Sequence, residues 1–173
     1  MRNATLIFSL SLLGCPALTA QARQSGIGVC DQKPEIQQIV EVGDRALHVV
    51  GIVKQNCHWT MPLEMAGLKA KDYTIIVMTD ATGNGPLNSQ DRGYVVINMD
   101  NGDQAFARFE GKGTVSRQAG EPASGAGTWS YTDGTGKLKG LTGKGTYNGG
   151  INQDQVEEEH IQGEWSISEP KKK

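Results

Sequence analysis

The chain of 173 residues lacks most of what would assign it a reaction. Its three cysteines and three histidines form no Cys-x-x-Cys or His-x-His pair at metal-ligating spacing, so no metal is implied. There is no Gly-x-Ser-x-Gly elbow of a serine hydrolase and no fingerprint of a cofactor. Lys and Arg number 17 against 19 Asp and Glu, interspersed, for a formal net charge of −2. That balance offers no basic footprint for nucleic acid and no polybasic surface for lipid. A helix needs about twenty apolar residues to span a bilayer. The most apolar stretch, Leu6 to Leu13, is shorter, so no membrane span is expected. No proline-rich or serine-rich linker divides the chain, and no long segment carries a helical period.

Glycine, by contrast, is abundant: 23 residues, of which 12 fall between Gly111 and Gly150. One phrase recurs three times there, as Gly111-Lys112-Gly113-Thr114, Gly125-Ala126-Gly127-Thr128 and Gly143-Lys144-Gly145-Thr146. Glycines at alternate strand positions remove side chains where another backbone approaches or a sheet bends, which predicts strongly coiled strands. A phosphate loop is the competing reading. It fails because Gly136-Lys137 is followed by Leu138, and the other Gly-Lys pairs by glycine, where Ser or Thr is needed.

At the N-terminus, Arg2, the run Leu6 to Leu13 and small residues up to Ala20 or Ala22 read as a secretory signal peptide over residues 1–22. The protein is expected to be exported, to a periplasmic or extracellular location. Leu12-Leu13-Gly14-Cys15 is a weaker alternative, a lipoprotein signal that would leave a lipid anchor on Cys15. Removal of the leader leaves Cys30 and Cys57, either a disulfide formed in an oxidising compartment or two buried thiols. Glu169 to Lys173 reads as a disordered basic tail. Residues 23–168 then form a single domain.

Along that domain, extended segments are expected at Glu35–Val42, Arg45–Gln55, Tyr73–Thr79, Gly93–Met99, Gln104–Glu110 and Val156–Ser168, with further strands in the glycine-rich region. Cys57 to Pro62 reads as a break, Leu63 to Ala70 as a helical turn or loop, and Asp80 to about Arg92 as a turn-rich excursion. Asn101-Gly102 predicts a hairpin with a type I′ turn. About eight closely spaced strands favour a small antiparallel β-barrel over a β-sandwich.

The stretch Gly127 to Tyr147, with the turn Gly134-Thr135-Gly136 between two of the glycine-rich strands, resembles the late strands of bacterial exported proteins similar to the allene oxide cyclase and dirigent barrels. The resemblance implies an eight-stranded barrel whose mouth or lumen receives small, largely apolar molecules. Some members cyclise or guide coupling. The acidic pocket residues of dirigent proteins find no aligned motif here, so none is carried over.

Three polar side chains are candidates for proton transfer near neutral pH: His58, beside Trp59 at an expected strand end, and His160, which shares a strand face with Glu158. His48, within an apolar strand, reads as a hydrogen-bonded core residue. Trp59, Trp129, Tyr131 and Trp165 are candidates for an apolar wall against a ring-bearing ligand, with core packing as the alternative. The expected function is binding of a small apolar or aromatic molecule in the lumen or mouth. A cofactor-free cyclase, isomerase or lyase is the first alternative, and a structural envelope protein without a pocket the second. Parity decides one point in advance: if Ile161 and Trp165 face the lumen, Glu158 and His160 face outward.

Overall fold

The computed structural model describes residues 21–84, 86–115, 123–151 and 156–168. The expected leader with Cys15, apart from its last residues, and the tail 169–173 lie outside them. Ten strands follow in chain order: β1 (Ala22–Cys30), β2 (Ile36–Glu41), β3 (Val49–Met61), β4 (Glu64–Met65), β5 (Leu68–Thr82), β6 (Leu87–Met99), β7 (Gln104–Val115), β8 (Ala123–Gly134), β9 (Leu141–Ile151) and β10 (Glu157–Ile167). All pairings are antiparallel. Following the ladder β3-β1-β10-β9-β8-β7-β6-β5 and then the pairing of β3 with β5 closes a barrel of eight strands. The short β4 extends β5, and β2 lies beside the first half of β3 as an outer strand.

Alternation assigns the faces. On β10, Glu159, Ile161, Gly163 and Trp165 point inward, and Glu158, His160, Gln162 and Glu164 outward. Arg108, Lys144 and Glu164 stand outside while Ala107, Trp129 and Tyr131 fill the interior. This is the reverse of the apolar-out alternation of a membrane-spanning barrel. Among the described residues no helix is long and apolar enough to cross a membrane.

The inward glycines are seats for rings. A Cβ on Gly163 would lie 2.5 Å from the Trp129 ring, one on Gly145 2.6 Å from it, and one on Gly127 2.8 Å from Tyr147. Gly93 faces the Phe109 ring in the same way at 2.6 Å, and Gly28 makes room for Tyr73. Each aromatic side chain thus occupies volume that the neighbouring strand leaves free. Trp129 and Tyr131 end 8% and 6% exposed.

One end of the barrel is shut. Leu63, Met65, Leu68, Met99, Leu138 and Leu141, from the turns and strand ends on that side, are all at most 5% exposed. The closing turns are pinned by two carboxylates. Asp103 accepts from the Lys137 backbone N–H (3.0 Å) and from the Asn101 side chain (2.8 Å). Asp133 accepts from Lys139 and from the Gly140 N–H, which lowers its pKa to about 2.

The sequence reading needs several local corrections. The strand expected from Arg45 begins only at Val49, because the chain still turns through Ala46 and Leu47, the latter at φ +60. Cys57 to Met61 does not break β3, because Cys57 and Trp59 continue its inward alternation. Leu63 to Ala70 holds no helical turn: β4 and β5 meet there through Ala66 and Gly67 at φ +51 and +73. The excursion after Asp80 shrinks to a few residues, since polar Asn88, Ser89, Gln90 and Asp91 pair with β5. The Asn101-Gly102 hairpin is present, but only Gly102 has positive φ (+89), with Gly102 N–H bonded to the Met99 carbonyl (3.1 Å). It is therefore not a type I′ turn, which needs both residues left-handed.

The seats give a paired test. In Gly127→Ala the new methyl would collide with the Glu110 carbonyl and with Gly111 Cα, both backbone, so destabilisation of at least about 2 kcal/mol is expected. In Gly125→Ala, two residues away on the same face, the nearest atom is Lys112 O at 3.8 Å, so a change within about 1 kcal/mol is expected. Urea denaturation of the two variants checks the difference, and equal losses would contradict the seat.

Candidate functional site

The interior above the closed end contains a cavity of about 50 Å³. Its walls are largely apolar, with Trp59, Ile75, Phe109, Trp129, Tyr147 and Ile161 among them. One ionisable carboxyl, Glu159, completes the lining. Alternation on β10 brings it there, because Glu157, Glu159 and Ile161 occupy one face.

Around Glu159 the groups are ordered. Tyr73 O–H donates to Glu159 Oε2 at 3.4 Å, and its ring lies 4.6 Å from that of Trp59. Tyr73 is 1% exposed, and burial first, then Glu159 and Glu157, pushes its hydroxyl well above the usual tyrosine range. Its hydroxyl also lies 3.7 Å from Cys30 Sγ, and Cys30 and Cys57 are joined in a disulfide across directly opposed positions of β1 and β3. Glu157 accepts from Gln55 Nε2 at 3.0 Å, while burial raises its pKa. For Glu159, removal from water is the largest effect and the nearby Glu157 the next; together they outweigh the Tyr73 hydrogen bond and raise its pKa to about 7. Tyr147, opposite Ile161 on the adjacent strand β9, is pushed up to about 12, by burial first and then by Asp91 and Glu159. Asp91 itself is held by Thr79 and Ser89 hydroxyls, each at 2.7 Å.

One donor in this neighbourhood has no partner: Trp59 Nε1 is buried, and no hydrogen-bond acceptor reaches it among the described residues. Trp165 Nε1 is in the same position but lines no part of the cavity. Trp129 Nε1 donates to the Thr146 carbonyl at 3.2 Å, and Tyr131 accepts from Gln24 Nε2 at 2.8 Å. Of the four aromatic candidates, Trp59, Trp129 and Tyr131 line the cavity and Trp165 packs elsewhere in the core.

The proton-transfer candidates stand elsewhere. Ile161 and Trp165 face inward, so Glu158 and His160 face outward, bonded to each other at 2.8 Å with side chains 45% and 54% exposed. His58 is an exposed outward residue of β3, because the strand does not end where the sequence placed its rim. None of the three shares the lumen with the aromatic wall. His48 is held between Asp44 (2.5 Å) and Asp80 (3.0 Å), which raises its pKa and fastens the turn before β3 to β5. Among the described residues no group of three or more His, Cys, Asp or Glu is arranged to hold a metal ion.

The sequence reading passed over Glu157 and Glu159 because Glu157-Glu158-Glu159 reads as a solvated acidic run. The available signal was parity: any strand that turns Ile161 inward turns Glu159 inward with it. A broader concavity of about 1480 Å³ lies outside, across Arg23, Arg92, Tyr94, Arg108, Lys144 and Glu164. Its outward side chains carry both signs of charge, as expected of a solvated face. No family model, curated protein or solved structure matches this chain, so the site rests on its own geometry.

The raised Glu159 makes stability depend on pH in a defined direction. An unfolded glutamate ionises near 4.5 and Glu159 in the fold near 7, so its contribution is complete below pH 4.5 and is lost as pH rises through 7. Between pH 5 and 8 the loss is at most about 2 kcal/mol, because Glu159 is half-buried and water screens its charge in part. Glu159→Gln has no such proton to lose, so denaturant unfolding should show it gaining on the parent protein as pH rises. Parallel pH profiles for the two proteins would mean that Glu159 ionises freely.

Proposed function

We propose that the protein is exported and binds a small apolar or aromatic molecule in the lumen of its barrel. The observation that carries this reading is an apolar cavity whose lining includes a single ionisable carboxyl, Glu159, beside the buried and unpaired N–H of Trp59. A largely apolar pocket with a few convergent polar groups is the usual form of a small-molecule site. With a pKa of about 7, Glu159 keeps a substantial share of its proton near neutrality. It then acts as a donor, as Trp59 Nε1 does, and the pair suits a ligand with an acceptor oxygen such as a carbonyl or ether. The disulfide supports export, since such bonds persist in oxidising compartments.

Size narrows the ligand or requires motion. At about 50 Å³ the cavity takes only a few heavy atoms, whereas a benzene ring needs on the order of 150 Å³. Trp59 is half-buried and its Nε1 is not fixed, so a turn of its ring is the least costly way to enlarge the site. The rings of Trp129 and Tyr131 are seated and hydrogen-bonded.

A second reading rests on the same carboxyl. A cofactor-free isomerase, cyclase or lyase needs a group that gives and takes a proton near neutral pH, and Glu159 hydrogen-bonded to Tyr73 meets that need. In this reading the role expected of His58 or of the His160 and Glu158 pair passes to Glu159. The rate with an identified substrate would follow an ionisation near pH 7 and would be lost in Glu159→Gln with binding retained.

Titration with cyclohexanone, with cyclohexane as control, followed by NMR at the Trp59 indole N–H and the Ile161 methyls, tests the binding reading. Both compounds should shift Ile161, only the ketone should shift the indole proton downfield, and Glu159→Leu should weaken the ketone about tenfold and the hydrocarbon little. No lumen shift with either compound at millimolar concentration would overturn it in favour of a filled barrel with a structural role.

A further inference from the structure

We infer that the outer edge of β2 is a self-association surface, through which two copies of this chain pair antiparallel across a two-fold axis at Ile39. All six residues of β2 are exposed, with Ile36 at 43%, Ile39 at 60% and Val40 at 61%. Val50 and Ile52 of β3, and Val42 just beyond β2, extend the apolar surface at 39%, 38% and 45%. Five of these six side chains, all but Ile39, share one face and present apolar area on the order of 400 Å², within the range of the largest patch that monomers leave uncovered.

Backbone parity sets the register of the pairing. Val42 N–H bonds to the His48 carbonyl at 3.0 Å, and these residues continue the β2–β3 register in which Glu41 opposes Val49. In an antiparallel ladder, hydrogen-bonded pairs alternate with pairs whose N–H and C=O groups point away. Val42, Val40 and Gln38 therefore face β3, and Gln37, Ile39 and Glu41 direct their backbone groups to the other edge, with which no strand among the described residues pairs. A second β2 centred on Ile39 satisfies all three residues in both copies, with six new hydrogen bonds. Gln37 of each copy then opposes Glu41 of the other, Ile36 opposes Val42, and Gln38 opposes Val40. The pairing preserves faces, so Ile36, Val40, Val42, Val50 and Ile52 of both copies merge into one apolar stripe.

Charge does not oppose this arrangement. Glu41 is the one ionisable residue of β2, and the preceding Glu35 is neutralised by Lys54 at 2.8 Å. The usual protections of an edge, a lysine, a proline or a bulge within the strand, are missing from β2. A two-fold contact through one strand lies at the small end of specific interfaces, so a weak, concentration-dependent dimer is expected.

Sedimentation equilibrium of the purified, oxidised protein over about 1 to 200 µM tests this. A monomer–dimer equilibrium is expected, weakened at least about 30-fold by Ile39→Lys, which sets like charges opposite each other on the two-fold axis. Since Ile39 is 60% exposed, that variant should melt with the parent protein. Mild oxidation of Ile39→Cys should give a covalent dimer, because directly paired Cα atoms lie within disulfide reach. A parent protein monomeric at 200 µM overturns the proposal and leaves the edge to a strand of another protein. A dimer unaffected by Ile39→Lys, with no cross-link from Ile39→Cys, overturns it in favour of another interface.

Discussion

The barrel depends on glycines that face inward beneath aromatic rings. A closed sheet of eight strands has a narrow interior, and side chains at every inward position would overfill it. Here Gly145 and Gly163 on adjacent strands leave the volume that Trp129 occupies, and Gly127 leaves part of that taken by Tyr147. Backbones can approach and coil where side chains are missing, and one large ring then restores the packing that two small residues give up. The fold therefore needs few aromatic residues, and their positions matter more than their number.

This way of filling a barrel is uneven, and the site is a product of that. The seated rings and the leucine-rich turns close one end. Farther along, the inward positions of β10 hold Glu157 and Glu159, and Tyr73 reaches the second of them through the room left at Gly28. Glu159 gains little from its neighbours when ionised, since Tyr73 offers it one hydrogen bond, Gln55 serves Glu157 instead, and no cation among the described residues contributes. The fold thus tolerates Glu159 mainly as the neutral acid, and that cost is a reason to look for a role in it.

Much of the architecture was legible. Alternation on β10 and the repeated glycine phrase led to an antiparallel barrel, and Asn101-Gly102 marked its hairpin. Other features were hidden for physical reasons. Cys57-His58-Trp59 looks like an interruption because polar and aromatic residues alternate there, yet the inward position of Trp59 is what keeps β3 in the barrel. The site was misplaced for a related reason. Histidine is the side chain with an ordinary pKa near neutrality, so His58 and His160 drew attention, whereas Glu159 reaches that range only through burial, which a sequence shows only after its strand faces are assigned.

The disulfide joins the two halves of this picture. β3 pairs with β1 over Cys57 to Met61 and with β2 over Val49 to Lys54, so it changes partner just past Cys57. At that fork the chain leaves the barrel after Cys30, and Asp31 N–H and Glu35 N–H still bond to the Asn56 and Lys54 carbonyls, at 2.9 Å each, while the register shifts. Cross-linking Cys30 to Cys57 fixes the last position of β1 before the shift. On the inner side it holds the disulfide sulfur against the Tyr73 hydroxyl that bonds Glu159. On the outer side it holds the register from which β2 departs with its free edge exposed. A constraint formed on oxidation thus supports both the half-buried carboxyl and the exposed strand.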